Sequence, residues 1–585
     1  MAARLPPITS GILTATSLLF IMGIVRVPLR VRHLALVTGG FLTAVAVVSG
    51  CSTSSAPAPA PSGTIAPGFN EALGSVVNPS QEVGGELRVA VPGDCGGWQP
   101  LLTTTAACAN LQRALSRQLT TYVSAPGRAG SVVTADLATE LGQSDADGMT
   151  WSFTLQPYLK WNDGSPLTTL DVARGLRNLD LRRADFRITG IEFGANRSMV
   201  VRLDRPFHDF NAVIALPSAA PVARGDVVKF SGPFAVDAAD PSQLTRNEEW
   251  DPATDAVRKP VAAGMKITWT TSQAQANQLL LNGKVDLALA SRTDPSFTSA
   301  VLRDPVRAAH ADNPGTGQVT MLAIPPSTGP LAAEKCRQAV YSAVNRTALR
   351  QVLGSSAGEA NIGAAQATTL SAPTIASFDA NYQPFAVGDG SGDVAAAQAA
   401  LEACGETEGF AMTLGFPDSA TGLAAFAVIK ESLARAGIIV LGKPIAAVEY
   451  GATVQSAATV AELGLDAVYL NYSATVPGVA GYWRPLAGSI SPGKPYRQNI
   501  AQLNMPTVNS LLASKEISSP DPKVQADVGR IIDRLVLDSG AYIPLAFTQT
   551  LEYRPAGLSN VAATGAFDNQ YDIVNIGFAV EPVEQ

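Results

Sequence analysis

Met265–Ala290, MKITWTTSQAQANQLLLNGKVDLALA, changes its period twice. Met265 to Trp269 alternates polar and apolar side chains as a strand does. Gln273 to Leu281 reads as a helix stopped by Asn282-Gly283, and Val285 to Ala290 as a second strand. The same alternation extends outward. Upstream, Gly85 to Val91, Trp151 to Gln156 and Phe230 to Val236 read as strands; Asn162-Asp163-Gly164-Ser165-Pro166 reads as a turn, after which Thr168 or Thr169 can cap a helix through Asp171, Val172 and Leu176. Downstream, Glu334 to Leu353 carries Cys336, Val340, Val344 and Ala348 on one helical stripe, Asp393 caps a helix ending at Gly405, and Thr421 to Ala436 ends at Gly437 before the strand Ile438 to Leu441. Helices and strands alternating over several hundred residues argue for α/β lobes rather than a sandwich or a bundle.

Composition bounds what such lobes can do. With 585 residues, 46% hydrophobic and 16% charged, the chain has enough apolar surface for several cores, and wholesale disorder is excluded. Its 42 basic against 49 acidic residues, with no basic cluster, offer no footprint for nucleic acid. Three histidines and five cysteines leave little for a metal site, and no cofactor is expected.

The first 50 residues read as an address. Leu34 to Gly50 is uncharged and apolar, follows Arg26, Arg30 and Arg32, and ends in small residues, as a secretory signal does. Val48-Ser49-Gly50-Cys51 resembles a bacterial lipobox, which makes Cys51 the lipidation site; the stretch is shorter than the ~20 residues of a membrane span. Residues 51–83 are expected to be the lipidated cysteine and a tether, Ser-, Ala- and Pro-rich over residues 52–67. A second apolar run, Ile8 to Val25, precedes the arginines, which raises the expectation that translation starts at Met22 or Val27 and that residues 1–21 are an assignment artefact. Four of the 42 basic residues and none of the 49 acids fall before Cys51, so the exported body carries −11.

An exported compartment permits disulfides. With Cys51 committed to lipid, chain order suggests Cys95 with Cys108 and Cys336 with Cys404, although four cysteines allow three pairings. A four-thiolate zinc site is the other reading, against which stands the lack of any C-x-x-C pair.

Several short segments, in order, resemble the family 5 extracellular solute-binding proteins, the dipeptide and oligopeptide receptors of ABC importers. They are Gly84-Gly85-Glu86-Leu87-Arg88; Trp151, Phe153 and Leu155 followed by Leu159-Lys160-Trp161-Asn162-Asp163-Gly164 and Asp171-Val172; Ser231-Gly232-Pro233-Phe234; Arg246-Asn247 with Trp250; Asn282-Gly283-Lys284-Val285-Asp286-Leu287-Ala288; and Cys336-Arg337-Gln338-Ala339-Val340. The resemblance implies a two-lobed periplasmic-binding-protein type II-like α/β fold with an extra small α+β domain inserted in the first lobe. The first lobe is expected at 84–123, 218–315 and 546–585, the insertion at 124–217 and the second lobe at 316–545. It further implies a lipid-anchored, extracytoplasmic, monomeric receptor that encloses a peptide or peptide-like solute and delivers it to a permease and its ATPase. A second reading keeps the fold without transport: a regulatory or scaffolding lipoprotein of cell-envelope synthesis.

Peptide receptors of the family meet the ligand's α-amino group with an aspartate shortly after an aromatic that follows a second-lobe strand. Here that strand is Asp466 to Tyr472, and the aspartate position is Thr475 or, in a shifted register, Asn471, neither of them a carboxylate. The ligand is therefore expected to lack a free amine, or an acid elsewhere supplies the charge. Tyr472, Ser473 and Thr475, with Trp483, Arg484 and Trp98, are the candidate ligand contacts.

Catalytic readings fall on local grounds. Gly354-Ser355-Ser356-Ala357-Gly358 matches G-x-S-x-G but follows a helix instead of a strand, and Ser491-Pro492-Gly493-Lys494 matches S-x-x-K with helix breakers between its ends. Asp389-Gly390-Ser391-Gly392-Asp393 resembles a calcium loop, yet its twelfth position is Ala400. No phosphate-binding loop is present, so ATP hydrolysis is left to a partner.

Overall fold

The computed structural model describes residues 66–579 except 101–104, 181–185, 226, 290–293, 326–328, 355–361, 475, 492–493 and 520. The leader, Cys51, residues 52–65 of the tether and Thr475 lie outside the described residues, as do most of the G-x-S-x-G segment and the middle of the S-x-x-K segment. The later part of the expected tether is folded instead: Glu71–Gly74 is a short helix, and Ala72 and Val77 are buried with Leu87 and Val89.

Gly264–Thr270 is a strand and Gln273–Leu281 a helix, capped by Ser272, whose hydroxyl accepts from the Gln275 amide. Gly283, at φ +66°, ends the helix in the left-handed region that glycine adopts without cost. The strand that follows is only Leu287–Ala288, shorter than the sequence indicates. The chain does not close directly on itself: Glu86–Pro92 slots between Gly264–Thr270 and Leu287–Ala288, parallel to both. Gln243–Arg246 and Phe234–Val236 extend the sheet in antiparallel fashion to five strands.

A second sheet of six strands runs Ala364–Gln366, Tyr542–Gln549, Gly315–Ala323, Ala467–Tyr472, Ala411–Asp418, Ile439–Ala446. It carries the largest core of the protein, with Met321, Leu322, Leu414, Ile429, Trp483 and Ile543 buried together. Tyr542–Gln549 belongs wholly to this sheet, so the chain returns to the first lobe after Gln549, a few residues beyond the expected boundary at 545. The outgoing and returning segments pair at Ala311–Asp312 with Glu552–Tyr553. Past them, Leu558, Val561, Ala563, Ile573 and Ile576 complete the core that begins with Leu87 and Val89.

Between the first-lobe segments, Gln143–Ser144, Thr150–Thr154, Ser198–Leu203 and Ile188–Phe193 form a four-stranded antiparallel sheet with its own core of Trp151, Phe153, Leu176, Phe186 and Phe210. The helix Thr169–Asp180 belongs to it, and at its start Asp171 reaches back to accept from both the amide (2.7 Å) and the hydroxyl (2.8 Å) of Thr168.

The expected helix from Glu334 to Leu353 is two helices, Glu334–Ala343 and Arg346–Leu353. Asn345 breaks it by capping the second helix, its side chain accepting from the Ala348 amide at 2.8 Å. The break turns Arg346 inward, where it has no exposed surface and donates to the carbonyls of Ala367, Pro544 and Tyr341.

Cys95 is bonded to Cys108 and Cys336 to Cys404. Among the described residues no cluster of metal-ligating side chains occurs, and no helix is long and apolar enough to cross a membrane. Asp393 caps Val394–Ala403, and Asp389 accepts from the Ser391 amide, a turn closed by its own side chain.

Candidate ligand-binding cleft

Several of the short segments that carry the family resemblance meet one another at structural joints. Arg88 pairs with Asp286 at 2.6 Å and donates to the Gly283 carbonyl, fastening the first strand to the helix turn. The Asn162 side chain accepts from the Phe230 amide, and Gly164 sits at φ +79° in the adjoining turn. Gly232 passes so close to the end of the helix Ala106–Leu115 that a Cβ there would lie 2.6 Å from the Ala114 carbonyl oxygen; Asn247 then donates to the Gly232 carbonyl. None of these residues faces the cavity described next.

That cavity, of about 310 Å³, opens where the two lobes and the inserted sheet converge. The first lobe contributes Thr105, Ala106 and Ala109 from the start of a helix, together with Phe567, Asp568 and Asn569 from the returning C-terminal segment. Leu216 comes from the end of the insertion and Ser218 from the residue just after it. Thr316, Thr374, Ser473 and Gly478 come from the second lobe. Thr105 caps its helix by accepting from the Cys108 amide, whereas Gly478, at φ 120°, leaves the helix Val479–Ala487 without a side-chain cap. The lining is thus hydroxyls, small apolar groups, an amide and backbone, suited to hydrogen-bonding an extended solute without a fixed side-chain shape.

Asp568 is the exception. It and Asn569 stand consecutively in the left-handed region, at φ 54° and 55°. Asn569 holds the bend by donating to the Gly315 carbonyl at 2.6 Å, and the Gln570 amide closes it on the Phe567 carbonyl. Phe567 turns inward, edge-on to Tyr122 and beneath the Arg113 guanidinium. Asp568 is exposed, yet the surrounding protein desolvates its carboxyl enough to push it up to about 6.

Of the residues singled out in the sequence, Ser473 lines the cleft. Tyr472 lies in the second-lobe core, its hydroxyl donating to the Tyr482 carbonyl, and its ring is edge-on to Tyr482 at 5.1 Å. Trp483 has no exposed surface and donates to Ser377. Both rings are placed by the helix Val479–Ala487 packing onto the sheet, the commonest use of a large aromatic. Arg484 is an ion-paired brace: it meets Asp209 of the insertion at 2.6 Å, lies over Phe207 and donates to the Leu512 carbonyl. Trp98 packs on Trp269 in a separate depression of the first lobe, its indole donating to the Pro241 carbonyl. Asn471, the alternative anchor position, accepts from the Thr320 hydroxyl at 2.8 Å. Sequence reading missed Thr105, Thr316, Thr374 and the 566–569 bend. Only the last left a local trace, an Asp-Asn pair able to adopt left-handed backbone within an otherwise apolar stretch.

Two α/β lobes joined by paired crossovers, with a polar cleft between them, define a solute-binding protein of the periplasmic type. The model of the bacterial extracellular solute-binding proteins, family 5 (middle region), matches residues 132–490, more than half of the chain, and the protein belongs to that family. Among solved structures it is similar to the clavulanic acid biosynthesis oligopeptide binding protein 2, at 28% identity over 88% of this chain and 99% of that one, with a TM-score of 0.79. The fold is shared by the periplasmic murein tripeptide binding protein MppA in its unliganded open form (16% identity, 86% and 98% coverage, TM-score 0.70). It is shared too by the ABC transporter-associated periplasmic binding protein DppA from Helicobacter pylori in complex with the peptide STSA (16%, 86% and 99%, TM-score 0.61). Among curated proteins, no sequence matches the chain.

Proposed function

We propose that this protein is the capture component of an ABC importer. It is a monomeric receptor held to the outer face of the cell membrane by a lipid on Cys51, and it encloses a peptide or peptide-like solute and passes it to permease and ATPase subunits. The observation that carries the reading is the cleft itself: a cavity walled by both lobes and the insertion, lined by hydroxyls and backbone, in a protein whose lobes are linked by one pair of crossover strands. Such a linkage lets the lobes rotate as bodies, and a solute touching both walls favours the closed arrangement because it gains contacts only there. The permease then distinguishes a loaded receptor from an empty one by the shape of the closed pair. The similarity to an oligopeptide binding protein supports a peptide-like cargo.

The test is mass spectrometry of small molecules that co-purify with the protein, followed by small-angle scattering with and without the recovered solute. A peptide-like solute in stoichiometric amount, with a smaller radius of gyration when it is bound, is expected. Absence of any retained solute, or a retained solute that leaves the radius unchanged, would overturn the importer reading in favour of a regulatory lipoprotein.

A further inference from the structure

Asp568 is the one ionisable side chain among the described residues that line the cleft. Its carboxylate has neither an ion pair nor a hydrogen bond there. Arg113, which lies over the neighbouring Phe567 ring, is committed elsewhere, held by Asp572 at 3.1 Å and by the Tyr122 carbonyl. The helix wall presents Thr105, Ala106 and Ala109, the second lobe Thr316, Gly317, Thr374, Ser473 and Ala474, and the end of the insertion and the residue after it Leu216 and Ser218, none of which titrates. An exposed, unpaired carboxylate on the wall of a concavity that holds no other charged side chain is free to meet an incoming cation. Left-handed backbone at two successive non-glycine residues holds it there, a conformation that persists only where surrounding contacts enforce it.

Resting on the receptor reading above, we propose that Asp568 is the anchor for a cationic group of the solute, an ammonium or guanidinium, so that the cargo is a peptide-like molecule bearing positive charge at the first-lobe wall. The charge missing from the Thr475 and Asn471 positions is thereby supplied from the opposite lobe. The ligand bridges the lobes, with its cation on Asp568 and its polar backbone on the hydroxyls and amides of the second-lobe wall. Ionisation of Asp568 is required, so affinity rises with pH through about 6.

The test offers the full chain a tryptic digest of casein, in which most peptides carry an amine and a basic side chain, and the same digest acetylated at its amines. Retained peptides are identified by mass spectrometry and their affinities measured by calorimetry. The wild type is expected to retain cationic peptides, about tenfold more tightly at pH 7 than at pH 5. Asp568→Asn is expected to weaken them about tenfold or more and to abolish the pH dependence. Retention of arginine peptides after acetylation assigns the contact to a guanidinium; loss assigns it to an amine. Asparagine and glycine both adopt the left-handed backbone, so Asp568→Asn and Asp568→Gly should melt as the wild type does, and either one, if folded, suffices. Equal retention by wild type and variants overturns the Asp568 assignment and leaves the receptor reading standing. No retention of any peptide by the wild type overturns both.

Discussion

Arg258 has no exposed surface, yet its guanidinium lies 2.9 Å from Asp136 and 3.1 Å from Asp255, and Arg117 shares both acids at 2.7 and 3.6 Å. This cluster ties the entrance of the insertion to the first lobe. Removing Asp136 leaves two buried guanidiniums with one carboxylate, so Asp136→Ala should cost about 3–5 kcal/mol in urea unfolding. Burial alone would raise the Asp255 carboxyl, but the charges of Arg258 and Arg117 more than offset it and hold it at about 2. A depressed native value means that Asp255 stabilises the fold above its unfolded value near ~3.9 and that this support is lost as pH falls through about 2. Denaturation midpoints between pH 4 and 2 should therefore fall more steeply for the wild type than for Asp255→Asn. At this scale the sequence was a poor guide to the cleft. Large aromatics such as Tyr472 and Trp483 drew the eye as contacts, and packing claimed them, because their area is worth most when fully buried. Asp568 reads as any other turn acid, since the residues that line the cleft with it are far away in the chain.

Elements were more legible, because periodicity and caps are local. The strand and helix from Met265 to Leu281 fold as their pattern indicates, whereas the single helix read from Glu334 to Leu353 is broken by Asn345, a residue whose capping habit outweighed an unbroken apolar stripe. The helix Glu334–Ala343 is also bonded through Cys336 to Cys404, at the end of Val394–Ala403, across a separation of 68 residues, against 13 for Cys95 and Cys108. Loop-closure entropy predicts about 4 kcal/mol for the longer link and about 3 kcal/mol for the shorter. Replacing both cysteines of one bridge by serine, in separate variants, should lower the melting temperature more for the 336–404 pair; an equal or reversed order would show that native packing, not chain entropy, sets the contribution.

For the whole molecule, the two-lobed plan followed from the family resemblance, and the short segments that carry it mark joints between parts of the chain, as Arg88 with Asp286 and Gly232 with Asn247 show. Joints report the frame and are silent on the cargo. The proposed lipid attachment makes its own prediction: Cys51→Ala should move the protein from the membrane fraction to the soluble fraction, without changing its unfolding transition, because the described core begins at Ala72, well past Cys51. The returning C-terminal segment has a further consequence. Residues 558–576 seal the core that Leu87 and Val89 begin, and they are made only after the entire second lobe. A chain emerging N-terminus first therefore finishes its second lobe before its first, and the Asp568 bend is among the last parts to settle. Nascent chains should be protease-sensitive in the first lobe until synthesis passes residue 576, a delay that keeps an exported protein threadable while it crosses the membrane.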